Sequence, residues 1–250
     1  MKKRLDQLLL ERGLVESRQK AQALVIAGRV LLEGRTADKP GRLVDTAASL
    51  QVAGGMPFAS RAGEKLDAAL RHFDISVSCR VCADLGASTG GFTDCLLQRG
   101  ARLVQAFDVG KGQLDWRLRQ DGRVVVRDQV NVRFLRAEDL PDATSFVSAD
   151  LSFISLVKIL IPLRDALRGG RALFPVDLVL LVKPQFEVGK GKVGRGGVVR
   201  DESLRLQALE SVISFSRGAG FRVLGHIDSP VAGARGNVEF LLHLQLASDL

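Results

Sequence analysis

The sequence predicts a two-part α/β chain: a small α+β module, then a larger domain built on a seven-stranded, mostly parallel sheet with helices on both faces. Three observations carry this prediction. From residue 60 onward strand-like and helix-like segments alternate, the order that builds parallel sheets. Leu178-Val179-Leu180-Leu181-Val182 is an unbroken apolar run, as in a central strand buried on both sides. Between the two regions, Ala53-Gly54-Gly55-Met56-Pro57 loses all periodicity and reads as a hinge. The module is therefore placed at residues 1–55, a linker at 56–60 and the larger domain at 61–250. With 250 residues and 46% hydrophobic content, the chain can bury a full core.

In the module, Leu5, Leu8 and Leu9, then Ala21, Leu24 and Val25, recur at helical spacing. Ser17 is placed to cap the second helix and Gly28 to stop it. Short strands follow at Arg29–Leu32 and Ser49–Val52, separated by the turn-rich stretch Gly34–Arg42. In the larger domain a helix is expected over Arg61–Phe73. Strands are expected near Arg80–Asp84, Leu103–Asp108, Val124–Val126, Phe146–Asp150, Leu178–Lys183, Phe221–Ile227 and Val238–Leu244.

The net charge of +8 favours a polyanionic partner through phosphate contacts and counterion release. Residues 1–60 carry 10 Lys/Arg against 6 Asp/Glu, so half of the excess sits in the first quarter of the chain. The opening Met1-Lys2-Lys3-Arg4-Leu5-Asp6 runs into charge instead of a sustained apolar stretch, which speaks against a signal peptide and for a cytoplasmic protein. The most apolar window, Leu151–Leu163, is broken by Lys158 and falls short of a membrane span. Three cysteines without a secretion signal read as reduced thiols. Cys79 and Cys82 have metal-knuckle spacing, but there is no second pair to complete four ligands, so no metal is expected. His72, His226 and His243 show no partner arrangement, Lys158 and Asp177 read as solvated or pairing charges, and Trp116 reads as core.

The segment Asp84-Leu85-Gly86-Ala87-Ser88-Thr89-Gly90-Gly91-Phe92 follows the first strand of the larger domain and opens a helix. Small residues there let backbone amides approach a ligand at the helix N-terminus. Asp108 ends the next strand, 22 residues beyond Gly86, where an acid can accept hydrogen bonds from a ribose diol. There is no G-x-G-x-x-G pattern and no phosphate-loop lysine, so the combination points to an adenosyl cofactor rather than to nucleotide phosphates.

The string Asp84 to Asp94 resembles the first motif of the FtsJ-like ribose methyltransferases, and the chain is similar nearly end to end to the TlyA/hemolysin A family of rRNA 2′-O-methyltransferases. Arg4-Leu5-Asp6, Ser17-Arg18, Ala23, Gly28 and Val30 match that family's S4-type RNA-binding module. Gly112–Leu118, Lys183-Pro184-Gln185-Phe186-Glu187 and Gly236-Asn237-Val238-Glu239-Phe240 are further family strings. Two departures stand out: Lys111 replaces a usual aromatic, and Arg127-Asp128 replaces an acid–base pair. The resemblance implies a Rossmann-like class I methyltransferase domain using S-adenosylmethionine. The candidate cofactor contacts are Asp84, Gly86, Ala87, Ser88, Thr89, Gly90, Gly91, Phe92, Asp108, Val109 and Asp128. It also implies a catalytic Lys-Asp-Lys-Glu tetrad, matched here by Lys65, Asp150, Lys183 and Glu239, and methylation of a cytidine ribose in ribosomal RNA of a ribosomal subunit.

Topology supports the tetrad separately, because Asp150 and Lys183 end predicted strands on the edge where parallel sheets bind ligands. An antiparallel last strand would bring the start of that strand, Glu239, to the same edge. A ribose 2′-hydroxyl is a weak nucleophile, so Lys183 is expected to act as base, aided by desolvation and by Lys65 nearby, with Asp150 and Glu239 orienting the amines. Residues 1–57 contain no Phe, Tyr or Trp, so the front module must read phosphates and shape; Arg4, Arg18, Lys20, Arg29 and Arg35 are its candidate contacts. Glu187–Gly197, with Lys190, Lys192 and Arg195, is read as a flexible basic loop that either folds over RNA or stays disordered. The sequence leaves two other functions: a non-catalytic ribosome-assembly factor, which would not bind S-adenosylmethionine, and a pore-forming hemolysin, against which the lack of any span speaks.

Overall fold

The computed structural model describes every residue except 1, 16, 27, 53–56, 190, 195, 249 and 250. The chain divides into two units, Met1–Pro57 and Phe58–Leu250. Four of the five residues expected to form the hinge, 53–56, lie outside the described residues.

The first unit runs β1 (Lys2–Arg4), α1 (Leu5–Glu11), α2 (Arg18–Ile26), β2 (Val30–Leu32), β3 (Arg35–Thr36), β4 (Leu43–Asp45) and β5 (Leu50–Val52). Leu5, Leu8 and Leu9 of α1 pack with Ala21, Leu24 and Val25 of α2 in one apolar cluster, as their three-and-four spacing requires. The Ser17 hydroxyl accepts the Lys20 N–H at 3.1 Å, so it caps α2. β2 pairs antiparallel with both β3 and β5, and β1 pairs antiparallel with β4. The stretch expected to be turn-rich thus contains a two-residue strand, too short to leave an alternating pattern.

The second unit runs α3 (Ala62–His72), β6 (Val81–Leu85), α4 (Gly91–Gln98), β7 (Leu103–Asp108), α5 (Trp116–Gln120), β8 (Val124–Asp128), β9 (Thr144–Ala149), α6 (Val157–Gly169), β10 (Val176–Val182), α7 (Pro184–Glu187), α8 (Glu202–Gly218), β11 (Arg222–Asp228) and β12 (Phe240–Leu246). The sheet has the order β11-β12-β10-β9-β6-β7-β8. β8, β7, β6, β9 and β10 are mutually parallel, and β12 runs antiparallel to β10 and β11. Every expected strand is present, displaced at its ends by two residues at most.

The apolar run of β10 divides by the two-residue period of a strand. Val176, Leu178, Leu180 and Val182 join a cluster with α6 and α8, whereas Val179 and Leu181 face α3 and α4 on the other side. At roughly 1.5–3 kcal/mol for each fully buried aliphatic side chain, this two-sided burial makes the sheet a rigid base for whatever projects from its edge.

At the opposite end of the sheet Asp177 meets Arg80 at 2.9 Å, His243 at 3.3 Å and Gln245 at 3.1 Å. Burial opposes its charge, but His243, Arg80 and Gln245 hold the carboxyl down at about 2. Trp116 corrects its sequence expectation: it is 71% exposed. Leu114 and Leu118, four residues apart, are the side chains of this segment that face Gly90, so Trp116 midway between them points outward. Among the described residues no helix is long and apolar enough to cross a membrane.

Candidate active site

Where β6 ends, Gly86 takes φ +85 and lies so close to β9 that a Cβ there would stand 2.6 Å from the Asp150 carbonyl oxygen. Only glycine satisfies both the left-handed backbone and the close approach. The turn is anchored from the side by Asp108 at the end of β7, which accepts the Ser88 N–H at 2.8 Å and the Gly110 N–H at 2.7 Å. It is anchored from beneath by Asp84, which is fully buried and accepts the hydroxyls of Thr93 at 2.7 Å and Ser148 at 2.9 Å. Burial pushes the Asp84 carboxyl up to about 6, with the nearby Asp150 charge adding to it, against the two hydroxyl hydrogen bonds.

Gly86, Ser88, Asp108 and Val109 line a cleft of about 520 Å³ beside this turn. Its remaining wall brings Val130, Asn131 and Val132 from the segment after β8, together with Gln113. That volume and that mixture, an acid and amides set among apolar side chains, fit an adenosyl group: a ring system needs the apolar walls and a ribose diol needs Asp108. Ala87, Thr89 and Phe92 line a smaller cavity of about 150 Å³ that shares Gly86, Ser88, Asp150 and Ser152 with the cleft.

Four expected cofactor contacts line neither space. Asp84 lies under the turn, committed to Thr93 and Ser148. Gly90 packs on Leu114 and Leu118, and Gly91 packs on Ser60 and Gly63, so these two allow helices to approach instead of a ligand. Asp128 is engaged by Arg119 at 2.9 Å and by the Gly112 N–H at 3.1 Å. Sequence reasoning did not name Gln113, although it lies in the Gly112–Leu118 string, and it missed the 130–132 segment, which carries no motif and reaches the cleft through the chain path after β8.

The four tetrad residues sort into two ion pairs. Lys183, just beyond β10, holds its Nζ 2.6 Å from Asp150 Oδ1 and donates to the Ser152 hydroxyl at 3.1 Å. The Asp150 contact is an ion pair without directed hydrogen-bond geometry, and Oδ1 is buried with no other donor among the described residues. Lys183 and Asp150 line the smaller cavity, together with Ser60, Ala62 and the glycine turn. Lys65 of α3 donates to Glu239 at 2.6 Å, and both side chains are buried. Gln185 Nε2 donates to the other Glu239 oxygen at 3.4 Å, two residues on from Lys183. The antiparallel pairing of Val182 with Phe240 is what places Glu239 beside Lys183 at the sheet edge. Lys65 therefore pairs with Glu239 and Lys183 with Asp150; the sequence expectation had the two carboxylates orienting the two amines without saying which holds which.

Two aromatic side chains stand next to this edge. Phe153, at φ +64 and 91% exposed, faces the Phe186 ring with centroids 5.3 Å apart. Glu187, one residue beyond Phe186, accepts the Ser155 hydroxyl at 2.5 Å and the Leu156 N–H at 2.8 Å, which ties the Phe153 loop to α7. Lys158 and Arg133 lie on the cleft wall, so Lys158, read from sequence as a bystander, borders the site. In the first unit Arg4, Arg18, Lys20 and Arg35 are exposed and Arg29 is half-buried. Lys192 is exposed, and Lys190 and Arg195 lie outside the described residues. Cys82 and Cys95 are buried, each thiol pushed up to about 12 by its burial, which leaves them inert.

Comparison with known proteins accords with this geometry. Residues 58–246 match the FtsJ-like methyltransferase family and residues 3–48 match the S4 domain. A Mycobacterium tuberculosis protein named 16S/23S rRNA (cytidine-2′-O)-methyltransferase TlyA is 46% identical over 248 residues, spanning 98% of this chain and 91% of its own. Hemolysin A of Brachyspira hyodysenteriae is 41% identical over 242 residues, 96% of this chain and 98% of its own. A solved structure from Streptococcus thermophilus, described as a candidate hemolysin, superimposes with a TM-score of 0.76 at 43% identity, covering 99% of this chain and 89% of that one. With the glycine turn, the Asp108 cleft and the two lysine–carboxylate pairs in place, the chain belongs to the FtsJ-like methyltransferase family and carries an S4 domain ahead of its catalytic unit.

Proposed function

We propose that this protein methylates the 2′-hydroxyl of a cytidine ribose in ribosomal RNA, with S-adenosylmethionine as methyl donor and the S4 domain gripping the RNA. The observation that carries the reading is the Lys183–Asp150 pair, 2.6 Å apart, on the wall of a small cavity that opens beside the glycine turn. Gly86, Ser88, Asp108, Val109 and Asn131 would hold the donor, which when bound supplies a methyl group on a positively charged sulfur, already a good electrophile. The names of the 46% identical relatives give the substrate class.

Lys183, once its ammonium has released a proton to solvent, takes the proton of the 2′-hydroxyl with its free lone pair, and Asp150 and Ser152 hold the amine in position to receive it. The Lys65–Glu239 pair stands behind them as a fixed, neutral support braced by Gln185. Phe153 offers its exposed ring to the base of the target nucleotide, a role the aromatic-free front domain cannot fill. A positioned base contributes roughly 10²- to 10⁴-fold, whereas alignment of the reacting groups supplies up to about 7–11 kcal/mol. Most of the acceleration therefore comes from the sheet edge that fixes these residues.

The deciding experiment uses Lys183→Ala with unmodified ribosomal subunits. Tritiated methyl incorporation should be abolished, while calorimetric binding of S-adenosylmethionine and RNA binding persist. Retained incorporation would remove Lys183 as the base, and failure of the unaltered protein to bind S-adenosylmethionine would remove the activity altogether.

A further inference from the structure

The first unit contains a buried carboxylate that packing alone does not require. The Asp6 side chain is completely buried in a domain of 57 residues, and four donors converge on it. Arg4 grips it with Nε at 3.1 Å and Nη2 at 3.0 Å, Arg18 Nε reaches it at 3.1 Å and Gln22 Nε2 at 2.8 Å. Arg4 Nη2, Arg18 Nε and Gln22 Nε2 all meet the same oxygen, Oδ2, so the two guanidinium groups stand within about 6 Å of one another. Burying a carboxylate is costly unless it is paired. Here its partners are two arginines whose side chains remain 43% and 52% exposed.

The hydrogen-bond inventory shows what this leaves over. A guanidinium has five N–H donors in a fixed fork. Arg4 spends two on Asp6 and Arg18 one, so the outward donors of both arginines face solvent. Their orientation is set from within, and the rotamer entropy that a free arginine loses on meeting a phosphate is already lost here. Arg4 also lies flat against Gly41, whose absent side chain leaves the room: a Cβ there would stand 3.1 Å from Nη1. The Arg4, Arg18 and Gln22 hydrogen bonds hold Asp6 well below the usual carboxylate range despite its burial, so the hub stays charged across physiological pH.

We infer that Asp6 is a positioning residue for RNA binding: it locks Arg4 and Arg18 into one two-pronged site for adjacent backbone phosphates. The inference rests on the reading of the first unit as an RNA-gripping domain and deepens it, since a single buried acid turns two loose cations into one preset site.

The test turns on the sign of an effect. In Asp6→Asn the protein gains a unit of positive charge beside the basic surface, so a protein that holds RNA by net charge would bind more tightly. If Asp6 positions the arginines, binding instead weakens by about 10-fold or more, and the slope of log affinity against log salt falls by about one or two contacts. Arg4→Lys and Arg18→Lys keep the charge but lose the fork, and each should weaken binding several-fold, less than additively when combined with Asp6→Asn. These two variants decide the question if Asp6→Asn disturbs the fold, as judged by circular dichroism.

Binding is measured on the full chain with a generic 20-base-pair RNA duplex and, separately, with unmodified ribosomal subunits. Tighter or unchanged duplex binding by Asp6→Asn, or full affinity in both lysine variants, would overturn the inference. Asp6-dependent duplex binding without methyl transfer to the subunits would leave it standing while the proposed reaction fails.

Discussion

Lys65 and Glu239, 174 residues apart in the chain, meet at 2.6 Å in a site where neither side chain is more than 9% exposed. One comes from the helix before the sheet and the other from the turn into its last strand, so the contact closes the catalytic unit across its full length. Removing one member of a buried pair strands the other charge in a low-dielectric site, whereas replacing both with apolar groups is often tolerated. Glu239→Ala should therefore cost about 3–5 kcal/mol in urea unfolding followed by circular dichroism. The double variant Lys65→Met/Glu239→Leu should recover most of that stability while methyl incorporation stays absent. Recovery of activity with stability would show that the pair only holds the fold.

Asp84 gives the catalytic unit a pH signature. Its carboxyl is raised from 3.8 in the unfolded chain to about 6 in the fold, chiefly by burial. A raised carboxyl binds its proton more tightly when folded, so its cost to stability is absent below about pH 4, grows through the window from 4 to 6 and is complete above it. The size is of order 3 kcal/mol at one pKa unit per 1.36 kcal/mol. Asp84→Asn, whose amide can still pair with Thr93 and Ser148, should lose this slope. The stability difference between variant and parent should shift in favour of the variant as pH rises from 4 to 7. A difference that stays flat across that range would show that Asp84 titrates normally.

Gly86 should tolerate no side chain. An alanine there would combine a φ of +85 with a Cβ 2.6 Å from the Asp150 carbonyl. The backbone would have to move, and Asp150 with it. Gly86→Ala should lower S-adenosylmethionine affinity by at least 10-fold in calorimetry and destabilise the unit by about 1–3 kcal/mol. Gly112→Ala, in open space at φ +70, supplies the matched control in which only backbone strain changes.

The sequence was most informative where local chemistry and topology agree. Asp108, Asp150 and Lys183 were legible because each ends or follows an apolar strand, and parallel strands deliver such residues to one edge. Glu239 needed one further step, the reversal of β12. The glycine turn was legible as a turn, but a residue string does not say which members face a ligand, and Asp84, Gly90 and Gly91 face the protein interior. Trp116 shows the converse: a large aromatic ring carries a strong expectation of burial, yet Leu118 of the same short helix and Leu114 just ahead of it took the core positions. β1 and β3 were invisible because they lack the apolar residues that mark the equally short Val30–Leu32 and Leu50–Val52, and β4, which does carry Leu43 and Val44, is decided by its distant partner β1. The ion pairs themselves, and the choice of Glu239 as the partner of Lys65, depend on distances that no spacing in the chain encodes.

Phe153 carries no sequence signal and Phe186 stands only within a family string, and Phe153 yields the last prediction. The residue is 91% exposed, its backbone sits at φ +64, and the Glu187 carboxylate pins the loop two and three residues further on, at Ser155 and Leu156. An aromatic side chain held outward in a left-handed conformation beside Lys183 contributes little to folding, so Phe153→Ala should change stability by less than about 0.5 kcal/mol. Stacking of a nucleobase on such a ring is worth roughly 1–3 kcal/mol, which corresponds to a loss of about 5- to 150-fold in kcat/KM for RNA. Phe153 also lines the cleft that holds Gly86 and Asp108, so calorimetric binding of S-adenosylmethionine to the alanine variant separates a loss of base stacking from a loss of cofactor affinity. Phe153→Trp should retain most of the activity, since any broad π-face can receive the base. Equal rates for the alanine variant and the parent would dismiss the stacking role and leave the exposed ring unexplained.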